Sequence, residues 1–363
     1  MKQKNRQQPQ NWLILLMAMI FLVAISGCKS EPPLPTSTPS PTSTPEPTTT
    51  PTRIFTPRPT ATPTLPPLGE AGNPITIGFI LSQNSSAGTS AEELTDLLRQ
   101  RTNYEMETLL YPDFQSLSTA IMNGEVDLFW LNPLEYLYLN EQGYAIVMLM
   151  TNHQGVFSYG VQFIANINRG FTLHFDPHTG DTLGDMMSAL QQFSGTRPCF
   201  TNSESIPGFI VPSGLLANTS TPTLDPVFTY NYNAVIRALY IGGICDFGVT
   251  YAYTGDPLTS SDILSNLPDA QSLINIVWRS DSLIPNLNLS ASPNLPVFIR
   301  FRIGEAMLNI ADSPDGLYLI SNALNYQVEA LRSVEDHFYN PLRSAILPLD
   351  LDLEALTLKT SLQ

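Results

Sequence analysis

Short apolar runs alternating with stretches of helical spacing set the plan of this chain. Residues 75–80 are almost wholly apolar and predict a strand. Leu94, Leu97 and Leu98 then recur at helical spacing and predict a helix over 91–101. Residues 104–110 predict a strand, and 114–122 a helix that Asn123-Gly124 closes as a cap pair. A strand follows over 126–131, then a helix opened by Asn132-Pro133 and a strand over 145–150. The alternation resumes with a strand over 158–166, a helix over 183–193, and a short strand at Arg197-Pro198-Cys199-Phe200. Further on, 213–218 and 233–241 predict helices, while 226–230, 246–251 and 274–279 predict strands. Residues 282–296, rich in Pro and Asn, predict an irregular crossing. The end predicts three helices, over 297–310, 314–325 and 329–345.

Strands alternating with helices of about ten residues imply parallel α/β architecture. There are two such arrays of similar size, so the expected fold class is α/β with two lobes. Each lobe is expected to be a mostly parallel sheet flanked by helices, with at least two crossings and a cleft between them. Ligands of parallel sheets sit beyond the carboxyl ends of the strands. Those ends carry polar and aromatic side chains, and the candidates are Ser82, Asn132, Tyr159, Ser203, Ser205, Tyr230, Asn233 and Asp246. Asp246 has two readings, a partner for a ligand amine or a cap that positions its strand. The densest stretch is 203–212, where two serines, Pro207 and Gly208 stand between a strand and a helix. Free N–H groups at a helix start favour an anion. Ser205 as N-cap with Pro207 in the first turn accounts for the same residues without a ligand.

The N-terminus changes the compartment. Lys2, Lys4 and Arg6 precede an apolar run over 12–25, and small residues lead into Cys28. The run is shorter than the ~20 residues a spanning helix needs. Ala24-Ile25-Ser26-Gly27-Cys28 resembles a bacterial lipobox, which implies removal of residues 1–27 and lipidation of Cys28. Two acyl chains hold a protein stably on a membrane. Residues 31–68 contain 13 Pro and 12 Thr among 38 positions. Such a segment cannot bury enough apolar surface to fold and acts as a semi-rigid spacer.

Charge and rare residues narrow the chemistry. The chain has 17 Lys and Arg against 32 Asp and Glu, a net charge of -15. That balance disfavours a nucleic-acid partner, which needs a basic face. Cys199 and Cys245 form either a disulfide or two buried thiols. No metal site and no cofactor are expected, because the four histidines and remaining cysteines lack ligand spacing. No nucleophile–base pair emerges from the sequence, which favours a binding protein over an enzyme.

Five segments, in order, carry a resemblance to a known family. Gly124-Glu125-Val126-Asp127-Leu128-Phe129-Trp130-Leu131-Asn132-Pro133, with Tyr136 after it, is similar to a glycine–aspartate–tryptophan–proline–tyrosine segment of the phosphonate-type substrate-binding proteins of ABC transporters. Ser205-Ile206-Pro207-Gly208 resembles that family's serine–threonine–serine–glycine turn, and Gly243-Ile244-Cys245-Asp246-Phe247-Gly248 its later glycine–aspartate–glycine segment. Ser282-Leu283-Ile284-Pro285 resembles its crossing, and 337–343 its tail. The resemblance implies a type II periplasmic-binding-protein fold without catalysis. It also implies a small polar or anionic, phosphate- or phosphonate-like solute, an ABC permease as partner, and an extracytoplasmic position on the cell membrane. The expected division is signal peptide 1–27, lipidated Cys and linker 28–72, first lobe 73–165, second lobe 166–280, and a crossing with C-terminal helices on the first lobe, 281–363. The sequence departs at Ile206 and Pro207, which replace hydroxyl residues, and at Asn233, near which the family carries a histidine. Two other functions stay open: a surface sensor or interaction module that works without a ligand, and a thiamine-precursor-type binding protein or enzyme.

Overall fold

The computed structural model describes residues 65–82, 85–252, 266–267 and 269–360. The described residues all fall in the second of two units of the chain, 63–363. The expectations for the signal peptide, Cys28 and nearly all of the linker lie outside the described residues.

The second unit holds two six-stranded sheets. In the first, β1 (Ile75–Ile80) lies between β2 (Met106–Tyr111) and β3 (Leu128–Leu131), parallel to both. The connecting helices are α1 (Ser86–Thr102) and α2 (Phe114–Met122). Helix α3 (Pro133–Glu141) leads from β3 to β4 (Ile146–Asn152). Ile75, Ile77 and Phe79 are buried, as are all four residues of β3, which is why both strands read as apolar runs.

In the second sheet, β6 (Pro198–Phe200) lies between β7 (Val227–Phe228) and β8 (Phe247–Ala252), parallel to both. Strand β5 (Ser158–Asn166) runs antiparallel to β8, to β9 (Ile274–Arg279) and to β10 (Ile284–Pro285). Among the described residues the helices that flank or join these strands are α4 (Met186–Gln191), α5 (Val211–Asn218) and α6 (Tyr232–Ile241), and a single turn, α7 (Ala270–Leu273), precedes β9.

The structure corrects four expectations. Residues 282–296 are not irregular throughout. They contain β10 and β11 (Asn288–Ala291), and β11 is inserted antiparallel between β3 and β4 in the middle of the first sheet. Each sheet is therefore mixed, a three-strand parallel core extended by antiparallel strands. Residues 329–345 are not one helix; they form β12 (Ala330–Ser333) on β4, a 3-10 turn and then α10 (Asn340–Ile346). Strand β5, placed in the first lobe by the boundary at 165, belongs to the second sheet.

The C-terminal helices also divide differently. Helices α8 (Val297–Ala311) and α9 (Pro314–Leu324) pack on α1, and α11 (Leu353–Thr360) packs on α3. Helix α10 instead packs on α5, where Asn218 Nδ2 donates to the carbonyls of Ser344 and Ala345. On its other side the tail is tied to α3: Tyr136 OH donates to Asp336 Oδ1 at 2.7 Å, and Arg343 donates to Asp336 and to Asn140 Oδ1. Tyr136 and Tyr339, both fully buried, meet with ring centroids 4.2 Å apart. One apolar core thus runs from Phe129 and Leu137 through Tyr339 and Leu342 to Phe163, Phe200 and Phe247. Cys199 and Cys245 are joined by a disulfide.

Candidate functional site

The carboxyl ends of β1 and β3 present Ser82 and Asn132. Ser82 is exposed just past β1, where Leu81 N–H donates to the carbonyl of Tyr111. Asn132 caps α3, its Oδ1 accepting from the N–H groups of Leu134 and Glu135 at 3.0 and 3.1 Å. Glu135 Oε2 accepts in return from Asn132 N–H at 2.8 Å, which completes a capping box. The Asn132 Oδ1 is therefore committed to the helix, and its remaining hydrogen-bonding capacity lies on the amide nitrogen.

Glu135 is buried, and burial raises its carboxyl to about 7, opposed by the hydrogen bond from Asn132. The positive end of α3 also opposes the rise. Between roughly pH 4.5 and 7 the folded chain then holds a proton that the unfolded chain releases. Stability accordingly falls as pH rises through that window, by about 3 kcal/mol from this group. Glu135→Gln keeps an acceptor at the same position and cannot ionise. Its urea midpoint is expected to match that of the wild type near pH 5 and to exceed it at pH 8; a constant difference between the two pH values would sink the assignment.

At the second sheet, the chain leaves β6 at Phe200 and enters a π-helical turn, Ile206–Ile210, that continues into α5. Ser205 caps this turn. Its Oγ accepts from Gly208 N–H at 3.0 Å, and its carbonyl accepts from Phe209 and Ile210 N–H. The loop after β7 is tied to the loop after β6: Thr229 N–H donates to the Phe200 carbonyl and Tyr230 N–H to the Thr201 carbonyl, each at 2.9 Å. Tyr230 is held at φ +69° with 79% of its surface exposed. Such a conformation is costly for a bulky residue and is kept only where its surroundings fix it. Asn231, not Asn233, caps α6, its Oδ1 accepting from Ala234 N–H. Asn233 is exposed in the first turn of α6, and Ser203 is exposed with its Oγ donating to Glu204 Oε1. Tyr159 lies one residue before Gly160, which pairs with Ala252, so it stands at the same carboxyl edge of β8.

Three further residues belong to this edge. Tyr232 OH lies 3.4 Å from Ser205 Oγ, and its ring meets Tyr251 edge-on at 4.9 Å. Burial pushes the Tyr232 hydroxyl up to about 12, so it stays protonated and neutral at every physiological pH. Thr201, 3% exposed, has a hydroxyl with no hydrogen-bond partner. All three fall at strand ends in the sequence, but aromatic residues there read equally well as core.

Asp246 does not belong to the edge. Its N–H donates to the Arg197 carbonyl and its Oδ2 accepts from Arg197 N–H, which sets it level with the start of β6. Its Oδ1 is ion-paired with Arg169. It stands at the amino end of β8, opposite Ser205, and positions that strand. The arrangement that remains offers neutral hydroxyls, amides and aromatic rings, with Glu204 the charged side chain in the loop after β6. Among the described residues no histidine bonds to Ser205, and no group of three His, Cys, Asp or Glu could hold a metal ion.

A family model described as ABC transporter, phosphonate, periplasmic substrate-binding protein matches residues 77–339. A curated relative, the phosphate-import protein PhnD of Mycolicibacterium smegmatis, is 22% identical over 224 residues. That match covers 58% of this chain and 63% of the relative, so it spans less than two thirds of the relative's length. Among solved structures, XAC2383 from Xanthomonas citri bound to ATP superposes with a TM-score of 0.53 at 15% identity, covering 80% of this chain and 99% of that one. The same protein bound to chloride gives 0.52 at 16% identity, covering 78% and 98%.

Proposed function

We propose that this chain, which belongs to the family of phosphonate-type periplasmic substrate-binding proteins of ABC transporters, delivers a small polar or anionic solute to a membrane permease. In this reading residues 1–27 are removed, Cys28 carries the lipid, and the Pro- and Thr-rich segment lifts the folded part off the membrane. The residues around the first sheet and those around the second act as two lobes that close on a phosphate- or phosphonate-like solute. Ser82, Asn132, Tyr159, Ser203, Ser205, Tyr230 and Asn233 contact it, together with Tyr232 and Tyr251. The protein binds and releases its solute without transforming it.

The observation that carries this reading is the stitching of the loops after β6 and β7 onto one carboxyl edge, with hydroxyls and aromatic rings grouped there. Such an edge is where parallel α/β folds bind ligands. Calorimetric titration of the folded chain with phosphate, phosphite, methylphosphonate and ethylsulfonate tests it. At least one is expected to bind, with Ser205→Ala weakening it by tenfold or more through the lost cap and contact. Binding by none of them, with a cooperative melting transition intact, would overturn the anionic-solute reading.

One observation favours a second reading, a surface module that engages a partner without a solute. The Gly208 N–H is already taken by Ser205 Oγ, and Pro207 has no N–H to offer. Co-purification of a stoichiometric partner with a solute-silent protein would support it.

A further inference from the structure

Among the most exposed large apolar side chains of the described residues, three stand within the first two turns of α8. Val297, Phe298 and Phe301 are 70%, 67% and 70% exposed, while Ile299 and Ile303 of the same helix are buried in the core. Single surface hydrophobics are ordinary, whereas a contiguous group marks a contact. The group continues onto the sheet: Val297 and Phe301 line one groove of about 390 Å³ with Ile146 and Met148, which Glu305 and Glu335 also border. Two arginines share the turn. Among the described residues neither Arg300 nor Arg302 enters an ion pair. The Arg302 guanidinium lies over the Tyr104 ring, 5.5 Å from its centroid.

The register of the first sheet places this turn. β11 ends at Ala291 opposite Leu128, the first residue of β3, and Ser292 N–H donates to the Asp127 carbonyl. Helix α8 therefore starts from the amino edge of the sheet, where Ile146, the first residue of β4, pairs with Ala291. The chain enters its folded unit at the same edge. The Gly69 carbonyl accepts from Glu105 N–H, and Ile75 then opens β1. A β-carbon on Gly69 would stand 2.8 Å from Cδ1 of Tyr104, the ring that Arg302 covers. The proposed solute contacts lie at the opposite, carboxyl edge.

From these observations we infer that the start of α8 is a membrane-contact face: Phe298 and Phe301 enter the headgroup layer of a phospholipid bilayer, and Arg300 and Arg302 bind its phosphates. This rests on the lipid-anchored reading above. A chain held at Cys28 keeps the bilayer at high effective concentration, so a small face suffices. Its tether joins the folded unit beside Tyr104, next to that face. Aromatic rings and arginine stems both suit the boundary between water and hydrocarbon. The guanidinium fork matches phosphate oxygens. A chain of net charge -15 is repelled by a strongly anionic surface, so the partner is zwitterionic phospholipid. The spacer lets the folded part rise from the bilayer and return to it, and on return the solute edge points away from the membrane.

Tryptophan placed on the face reads the contact. Phe298→Trp, Phe301→Trp and, as the control, Tyr318→Trp are each made in the full chain and mixed with vesicles of phosphatidylcholine whose acyl chains are brominated. Tyr318 is 71% exposed and lines a different cavity, with Ser86 at the start of α1. Trp130 and Trp278 are buried and give the same background in each variant. Quenching at 298 and 301 is expected to exceed that at 318 at least twofold. Arg300→Glu with Arg302→Glu is expected to remove the excess from Phe301→Trp, with the melting temperature reporting that the variant folds. Flotation with the vesicles reports the anchor separately. A chain that floats with equal quenching at all three positions overturns the face and keeps the anchoring. A chain that does not float but is quenched at 298 and 301 keeps the face and overturns the anchoring, and neither signal overturns both. A blue shift of these tryptophans without vesicles, growing with protein concentration, assigns the face to a second copy. Shielding only in native membranes assigns it to a membrane protein. Either result overturns the lipid assignment.

Discussion

Removing the Cys199–Cys245 disulfide, by Cys199→Ala with Cys245→Ala, is expected to destabilise the protein by about 4 kcal/mol. The two cysteines are 46 residues apart, and closing a loop of that length removes that much conformational freedom from the unfolded chain in the loop-entropy model. Both are buried and pack in the small core with Val235 and Leu239, so alanine leaves no unsatisfied polar group. For a folded unit of this size the melting temperature is expected to drop by on the order of 8 °C. Guanidinium unfolding checks the magnitude. A midpoint unchanged within error would mean that the unfolded chain is already held compact by other contacts.

The consequence for function follows from what the bridge encloses. Cys199 is in β6 and Cys245 stands at the entry to β8, two adjacent parallel strands. Between them lie the π turn, α5, β7 and α6, which supply Ser203, Ser205, Tyr230, Tyr232 and Asn233. The covalent bond pins both ends of the segment that carries these proposed contacts. The double variant is therefore expected to bind its solute more weakly at temperatures where it remains folded, since a looser segment loses more freedom on binding.

How far this was legible beforehand depended on whether a residue's partner lies nearby in the chain. β3 is buried on both faces and β1 and β8 are buried over most of their length, so each appears as an apolar run regardless of its neighbours. Asn132 as a cap was equally plain, because its partners are Leu134 and Glu135. β11 was hidden, since Asn288 and Ser290 look like loop residues. Their polarity is satisfied within the sheet: Asn288 Nδ2 donates to the Leu131 carbonyl, and Ser290 Oγ donates to Asn288 Oδ1. Leu131 is 157 residues away, and nothing local signals it. β12 failed for the opposite reason, as a short, partly exposed strand whose spacing also suits a helix. Asp246 shows a third limit. A carboxylate beside a strand reads the same at either end, and only the register of β6 against β8 places it away from the ligand edge.

Gly208→Ala is expected to cost about 3 kcal/mol and to weaken solute binding by tenfold or more. A β-carbon at this position would overlap Thr201 Oγ1 and stand 2.7 Å from Ser205 Oγ and 3.0 Å from Thr201 Cβ. Rotating Thr201 leaves its β-carbon at 3.0 Å and Ser205 Oγ at 2.7 Å, so the turn has to move. Overpacking of this kind costs about 1–3 kcal/mol. The shift also breaks the Ser205 cap on Gly208, worth about 1 kcal/mol. Because the Thr201 hydroxyl has no partner, Thr201→Ala alone is expected to cost less than about 1 kcal/mol. In the double variant the worst overlap is gone, and stability is expected to recover by about 1–2 kcal/mol relative to the sum of the singles. Strictly additive effects would mean that this contact does not shape the turn. Recovery of stability without recovery of binding would locate the Thr201 hydroxyl at the solute itself. Recovery of both would assign it to packing, with Ser205 and the tyrosines left to make the contacts.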